Sequence, residues 1–251
     1  MSLFDNSTVS IVMPAHNSEL YISESIDSVI SQKYQDWELI VVNDRSEDKT
    51  ADIVSSYVES DSRIKLIDNQ ADHGGAAFAR NLALRVAVGK YIAFLDSDDR
   101  WMPDKIIEQI DMMKSHDISV CHTGYYRFNN DGMVINYVKI KEFVSYKDQL
   151  KSNHIPNLTG LYDRSKLGLF EQKNIGHEDY DMWLRIISFS PSVGINKPLA
   201  MYRVSANSLS SNKVKSAFWH FKVLLSVKNI NPLQRYMYFL CYLFYAFTKR
   251  V

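Results

Sequence analysis

Short apolar runs alternate with helical spacings from the start of the chain. Residues 9–13 read as a buried strand that ends at Pro14. Leu20, Ile22, Ile26, Val29 and Ile30 then recur at helical spacing, which predicts a helix whose start is capped by Asn17 or Ser18. Residues 39–42 form a second strand, followed by a polar turn and a helix carrying Ile53, Val54, Tyr57 and Val58. A third strand is expected at 64–67, a helix marked by Phe78, Leu82 and Val86, and a fourth strand at 91–95. This alternation predicts an α/β fold with a mostly parallel sheet flanked by helices.

From about residue 118 the pattern changes. Residues 125–128 and 133–138 flank Asn129-Asn130-Asp131-Gly132, a hairpin turn signal. An irregular stretch follows, then a helix over 181–188. Residues 216–228 mix Phe, Trp, Val and Leu with Lys, and residues 236–247 are an aromatic and aliphatic run. No repeat or low-complexity linker intervenes, so one shared core is expected for residues 1–210, followed by a helical tail at 211–251.

Composition supports a packed globular protein: 46% of the 251 residues are hydrophobic and 23% charged. Cys121 and Cys241 are far apart and match no metal spacing, which suggests a reducing compartment without a disulfide framework. Residues 1–10 carry no basic-then-apolar leader, so a cytosolic origin is expected. The net charge of zero hides an asymmetry. After Asp181 there is no acidic residue, while Arg185, Lys197, Arg203, Lys213, Lys215, Lys222, Lys228, Arg235, Lys249 and Arg250 follow. The basic, aromatic tail is too short to span a bilayer, for which about twenty apolar residues are needed. It suits the interface of an anionic leaflet, with packing on the domain or in an oligomer as the competing account. Nucleic acid fits poorly, because the cations are interleaved with long apolar side chains.

In such sheets ligands bind beyond the C-terminal strand ends. Asp96, Asp98 and Asp99 follow the fourth strand, where oxygen ligands suit a hard divalent cation; an acidic turn capping the helix near Pro103 is the alternative. A calcium loop is excluded by the missing glycine and closing glutamate. Asp44 follows the second strand and could accept from a base or ribose, or cap the next helix. Pro14, Ala15, His16 and Asn17 end the first strand at the same edge. His16 could ligate a metal, but a lone histidine more often serves as a turn or core residue. Gly74-Gly75 opens a helix at which Arg80 could meet a diphosphate, although no phosphate-loop or dinucleotide fingerprint is present. Glu178, Asp179 and Asp181 could favour a helix N-terminus, the reading preferred for Glu178 and Asp181, and a carboxylate here could also supply a general base.

These residues, in this order, resemble the family 2 glycosyltransferases, inverting enzymes of the GT-A fold. The resemblance covers roughly residues 8–210 and rests on five segments: 10–17, 42–46, Ala79-Arg80-Asn81, 96–99 and 178–185. It implies that Asp44 contacts the nucleotide base, usually uracil, with Pro14 and Ala15 lining the pocket and Asn17 at the same edge. It further implies that Asp96 approaches ribose or metal, that Asp98 binds the Mn²⁺ or Mg²⁺ carried by the diphosphate, and that Asp179 is the catalytic base. Arg80 and Arg203 would face the diphosphate charge. Residues 1–115 would form the nucleotide-sugar half and 116–210 the acceptor half.

The implied reaction moves a sugar from a nucleotide-sugar donor to an acceptor saccharide, lipid-linked in O-antigen or capsule assembly, at the inner face of the cytoplasmic membrane. Two departures stand out. Asn43-Asp44-Arg45 replaces two acidic residues and a glycine, and Ser205 stands where the family often has a histidine. Two alternatives remain: a non-catalytic membrane-associated partner derived from such an enzyme, and a sugar-1-phosphate nucleotidyltransferase. The second should carry a glycine-rich basic loop after the first strand, which Pro14-Ala15-His16-Asn17 is not.

Overall fold

A computed structural model describes residues 7–204 and 213–248. The first half is strand–helix alternation: β1 (Val9–Ala15), α1 (Ile22–Ile30), β2 (Trp37–Asn43), α2 (Thr50–Ser60), β3 (Ile64–Asp68), α3 (Ala76–Val86) and β4 (Tyr91–Phe94). The short β5 (Arg100–Trp101) and α4 (Lys105–Ser115) lead into β6 (Val120–Phe128), β7 (Val134–Val138) and β8 (Phe143–Val144). Then come α5 (Tyr146–Lys151), β9 (Leu161–Asp163), α6 (Arg164–Leu167), α7 (Glu178–Ile187), β10 (Ser192–Arg203), α8 (Lys213–Ser226) and α9 (Pro232–Thr248).

One ten-stranded sheet runs β3-β2-β1-β4-β9-β6-β10-β5, with β7 paired to β6 and β8 to β10. The first four strands are mutually parallel, as expected from helical crossovers. The far half is mixed, because β9 runs antiparallel to both β4 and β6 while β10 runs parallel to β6. Successive residues of β1 and β2 enter opposite cores. Ile11, Met13, Leu39 and Val41 pack with α1, α2 and α4, whereas Val12, Ile40 and Val42 pack with α3 and α7. Strands buried on both faces read as continuous apolar runs, the pattern present at 9–13 and 39–42.

Several local expectations differ from the structure. Pro14 lies within β1 rather than after it. Leu95 N donates to Val12 O, so by alternation the nitrogen of Pro14 points to the same side. There β4 has already ended opposite Val12, and no ladder bond is lost. Neither Asn17 nor Ser18 caps α1 with its side chain. The helix starts from the Ser18 carbonyl, which accepts from the Tyr21 and Ile22 amides. Leu20, counted as part of its apolar face, lies ahead of the helix and is exposed. The buried face of α3 is Ala79, Arg80, Ala83 and Leu84, while Val86 is exposed. Small alanines let α3 approach β1 and β2, a contact that a search for large apolar residues overlooks. Near Pro103, α4 has Asp104 at its N-cap without a side-chain bond, so none of the three clustered aspartates caps it.

β10 carries an irregularity of its own. Ile195 pairs with Thr123, Pro198 with Gly124 and Ala200 with Tyr125, so three extra residues bulge from β10 before pairing resumes through Arg203 opposite Phe128. At the end of the described chain, α8 and α9 pack on each other and on α7, with Leu150, Tyr180, Leu184, Val223, Leu224 and Ile230 forming a third apolar cluster. Among the described residues no helix is long and apolar enough to cross a membrane.

Candidate functional site

The C-terminal ends of β1, β2 and β4 meet at one edge, where loop-to-loop bonds hold the chain. Asp44 N donates to the Ala15 carbonyl at 2.7 Å, and His16 Nδ1 contacts the Asp44 carbonyl at 2.8 Å. Asn17 adopts φ 48° and accepts from Glu47 N at 2.9 Å, and its own amide donates to Ser46 Oγ. Asparagine tolerates this left-handed conformation better than most residues. The Ser18 and Ser97 hydroxyls lie 2.7 Å apart, joining the β1 loop to the aspartate loop. His16 therefore acts here as a turn residue.

Asp44 is buried, with each carboxylate oxygen engaged. Oδ1 accepts from Asn69 Nδ2 and Oδ2 from Gly75 N, both at 2.6 Å, and each oxygen retains acceptor capacity. Two glycines make this possible. A Cβ on Gly74 would lie 2.2 Å from Asp44 Oδ1, and Gly75 has φ 114°. Arg45, where the family often has glycine, also adopts a positive φ of 58° and places its guanidinium 3.9 Å from Asp44.

Across the edge, Arg80 Nη2 meets Asp96 Oδ1 at 2.5 Å and Nη1 donates to Gln172 Oε1 at 3.1 Å. Burial opposes the charge on Arg80, but Asp96 overrides it, with help from Asp179 and Glu178, and its pKa is raised. Asp179 and Glu178 thus lie within electrostatic reach of Arg80, although they follow it by almost a hundred residues in sequence. Asp179 sits in the first turn of α7, half-buried, with Oδ2 accepting from Asn153 Nδ2 at 3.1 Å. Asp181 points elsewhere. It is buried and bonded to Arg185 Nε at 2.8 Å with Lys173 at 3.5 Å, a structural ion pair.

The three clustered aspartates differ in their surroundings. Asp99 is buried and accepts the Arg203 amide at 2.7 Å, stitching the loop to β10. Burial, then the charges of Asp98 and Asp96, push its carboxyl well above the usual range. Asp98 makes no side-chain ion pair among the described residues. Burial first, then Asp96, raises its pKa, against the opposing pull of Arg203 and Arg80. Arg203 is nearly inaccessible, its side chain 2% exposed. Its Nε donates to the Asp98 carbonyl at 2.8 Å, its Nη2 to Glu24 at 2.7 Å, and its guanidinium lies over Tyr21 and Phe128. Ser205 lies outside the described residues.

A divalent cation fits this donor set on one condition. No group of three or more metal-ligating side chains occurs among the described residues. Asp98, crowded by Asp96 and without a salt bridge among the described residues, suits a Mg²⁺ or Mn²⁺ ion that takes one or two carboxylates and completes its shell with substrate phosphates and water.

Asn69, Gln172, Asn153 and Glu24 were not anticipated, and Gly74 was singled out for ligand approach rather than for the room it leaves Asp44. Asn69 directly follows β3 and could have been found by the strand-end rule. Asn153 and Gln172 come from irregular segments and carried no signal.

Residues 10–171 match the family described as Glycosyl transferase family 2. WfgD of Escherichia coli, a UDP-Glc:alpha-D-GlcNAc-diphosphoundecaprenol beta-1,3-glucosyltransferase, is 41% identical over 247 residues, covering 98% of this chain and 96% of that protein. Among solved structures, S. aureus TarS 1-349 in complex with UDP-GlcNAc superposes with a TM-score of 0.73 at 20% identity, covering 96% of this chain and 74% of that one. The mannosyltransferase PcManGT of Pyrobaculum calidifontis, in complex with GDP-Man and Mn²⁺, gives 0.69 at 20% identity, covering 94% and 69%.

Proposed function

The chain belongs to glycosyl transferase family 2, and from that premise we propose that it transfers a hexose, glucose first among candidates, from a UDP-sugar to a lipid-linked saccharide with inversion at the anomeric carbon. The observation that carries this reading is the 41% identity to WfgD along almost the whole of both chains. Supporting it, Asp44, Asp96 and Asp98 sit at one sheet edge with Arg80, whose charge also feels Asp179.

In this reading residues 1–115 serve the donor and 116–210 the acceptor. Asp44 accepts a hydrogen bond from the uracil, beside Pro14, Ala15 and Asn17, while Asp96 reaches the ribose or the cation. A Mn²⁺ or Mg²⁺ ion held by Asp98 and Asp96 would stabilise the charge that develops on the departing diphosphate. Arg80 adds positive charge from α3. Arg203, engaged by Glu24 and the Asp98 carbonyl, acts from behind the aspartate loop. Asp179 accepts the acceptor hydroxyl's proton as that oxygen attacks opposite the nucleotide. A carboxylate is a weak base, so the proton leaves late. An α-linked donor then yields a β-linkage.

The test is a thermal-shift screen of UDP, GDP and their sugars with and without Mn²⁺, followed by transfer to a diphosphate-linked GlcNAc acceptor with the linkage read by NMR. A ligand that binds only the folded state raises its melting temperature. A Mn²⁺-dependent shift with UDP-glucose and a β-linked product is expected. A folded protein that responds to no nucleotide sugar would overturn the assignment in favour of a non-catalytic partner.

A further inference from the structure

The C-terminal helices have two faces of different character. Their inner side is clamped to α7. Tyr180 stacks on His220 at 4.5 Å, and His220 stacks on Tyr242 at 3.9 Å, so one aromatic column joins α7, α8 and α9. Trp219 meets His177 edge-on at 5.6 Å, and Phe221 meets Phe239 at 4.9 Å. His220 is buried, and burial together with His177 lowers its pKa to about 3, so it serves here as a neutral aromatic plate.

The outer side of α9 is apolar and largely exposed. Leu233, Tyr236, Met237, Leu240 and Phe244 are 47–69% exposed. With 3.6 residues per turn, these positions fall within an arc of about 100°, opposite Tyr238, Phe239 and Tyr242 on the packed face. α8 repeats the pattern with Val214, Phe218 and Leu225 exposed. A soluble surface helix normally places such a stripe against its own core.

We propose that this outer stripe of α9 docks on an anionic lipid leaflet, and that the α8–α9 hairpin thereby holds α7 at the membrane surface. Charge selects the occupant. Residues 213–248, which make up α8, α9 and their connection, hold Lys213, Lys215, Lys222, Lys228 and Arg235 and no acidic residue. A second copy packed symmetrically on the same stripe would bring two purely cationic segments together. An anionic leaflet is complementary to that charge, and aromatic and aliphatic residues flanked by cations suit its headgroup boundary. Among the described residues no helix can cross the bilayer, so α9 lies along the surface. The benefit rests on the lipid-linked acceptor proposed above, since α7 also carries Asp179; the test does not.

The experiment is vesicle flotation of the full chain with phosphatidylglycerol–phosphatidylethanolamine vesicles, and with phosphatidylcholine vesicles as the neutral control. The protein is expected to float with the anionic vesicles only and to be released by salt. Leu233→Glu combined with Leu240→Glu should weaken binding at least about tenfold, because two apolar anchors are lost. Melting temperature and the response to UDP should stay unchanged, as both side chains are exposed. Met237→Glu provides a second, milder variant. Wild-type protein that stays in the soluble fraction, or a variant that floats as well as wild type, would overturn the proposal. So would a dimer in sedimentation equilibrium that the double variant disperses without any flotation of the wild type, because the stripe would then belong to a second copy. Binding that persists while no nucleotide sugar is recognised would leave the docking surface standing and remove only the transferase reading.

Discussion

Asn153 donates from Nδ2 to Oδ2 of Asp179 at 3.1 Å, so the carboxylate in the first turn of α7 is held by the loop that follows α5. One carboxylate oxygen is held in this way, and the other accepts no hydrogen bond among the described residues. If Asp179 is the base, Asp179→Asn should lower transfer by about 10²–10⁴-fold, the usual range for general base catalysis. Asn153→Ala should lower kcat less, by up to about a hundredfold, since a hydrogen bond to a charged group contributes about 1.5–3 kcal/mol. In both variants the melting shift caused by UDP with Mn²⁺ should be retained. Equal loss of nucleotide binding would assign both residues to the scaffold.

Asp98 should trade stability for binding. Its raised pKa means that the folded state disfavours the ionised form, so its contribution to stability falls as pH rises through that pKa. Asp98→Asn removes this cost. The ligand-free variant should melt at or above the wild-type temperature at neutral pH and yet lose the Mn²⁺-dependent shift with UDP. Cation affinity should fall by more than the about 10–100-fold typical of changes outside the ligand shell. An unchanged shift would remove Asp98 from the cation site.

Gly74→Ala is expected to act through Asp44. The new Cβ would sit 2.2 Å from Asp44 Oδ1, so the carboxylate must leave the amides of Asn69 and Gly75. Stability should fall by about 1–3 kcal/mol, the cost of buried donors left unpaired. UDP affinity should fall as well, measurable by calorimetry, while affinity for free Mn²⁺ remains.

Lys105 offers a separate pH test. It is wholly buried, with Nζ on Gln109 Oε1 at 2.7 Å and over the Trp101 ring at 4.0 Å, and burial lowers its pKa to about 7. Below about pH 7 both folded and unfolded chains hold the proton, and the folded state bears the burial cost. Between that pH and the ordinary lysine value, the unfolded chain binds more protons, so stability rises with pH. Urea unfolding from about pH 6 to about pH 9 should show this slope in wild type and a shallower one in Lys105→Met. Parallel slopes would mean that Lys105 stays charged in the fold.

What the sequence made legible was the first sheet half. Strands β1, β2 and β4 are buried on both faces, β3 is a half-buried edge strand, and their helices are periodic, so pattern and fold coincide. The aspartates at 96–99 and Asp44 were found because they follow such strands. The rest depends on long-range placement. Arg80 feels Asp179 only because α7 packs on the same face as α3, and no local spacing carries that information. β9 spans three residues and pairs antiparallel between β4 and β6, too short for a periodic signal. Arg203 was expected to face the diphosphate charge, and the structure lays its guanidinium over two rings and holds it with Glu24.

The bulge in β10 lets one strand obey two separate alignments. Its first part is registered on Cys121 and Thr123, and its last residues are registered on the aspartate loop through Arg203 and Asp99. A one-residue slip in an unbroken strand would exchange Arg203 with a neighbour pointing the opposite way. Here the surplus residues around Asn196 and Lys197 act as an expansion joint. A residue gained or lost there changes the size of the bulge, and the guanidinium keeps its address behind Asp98.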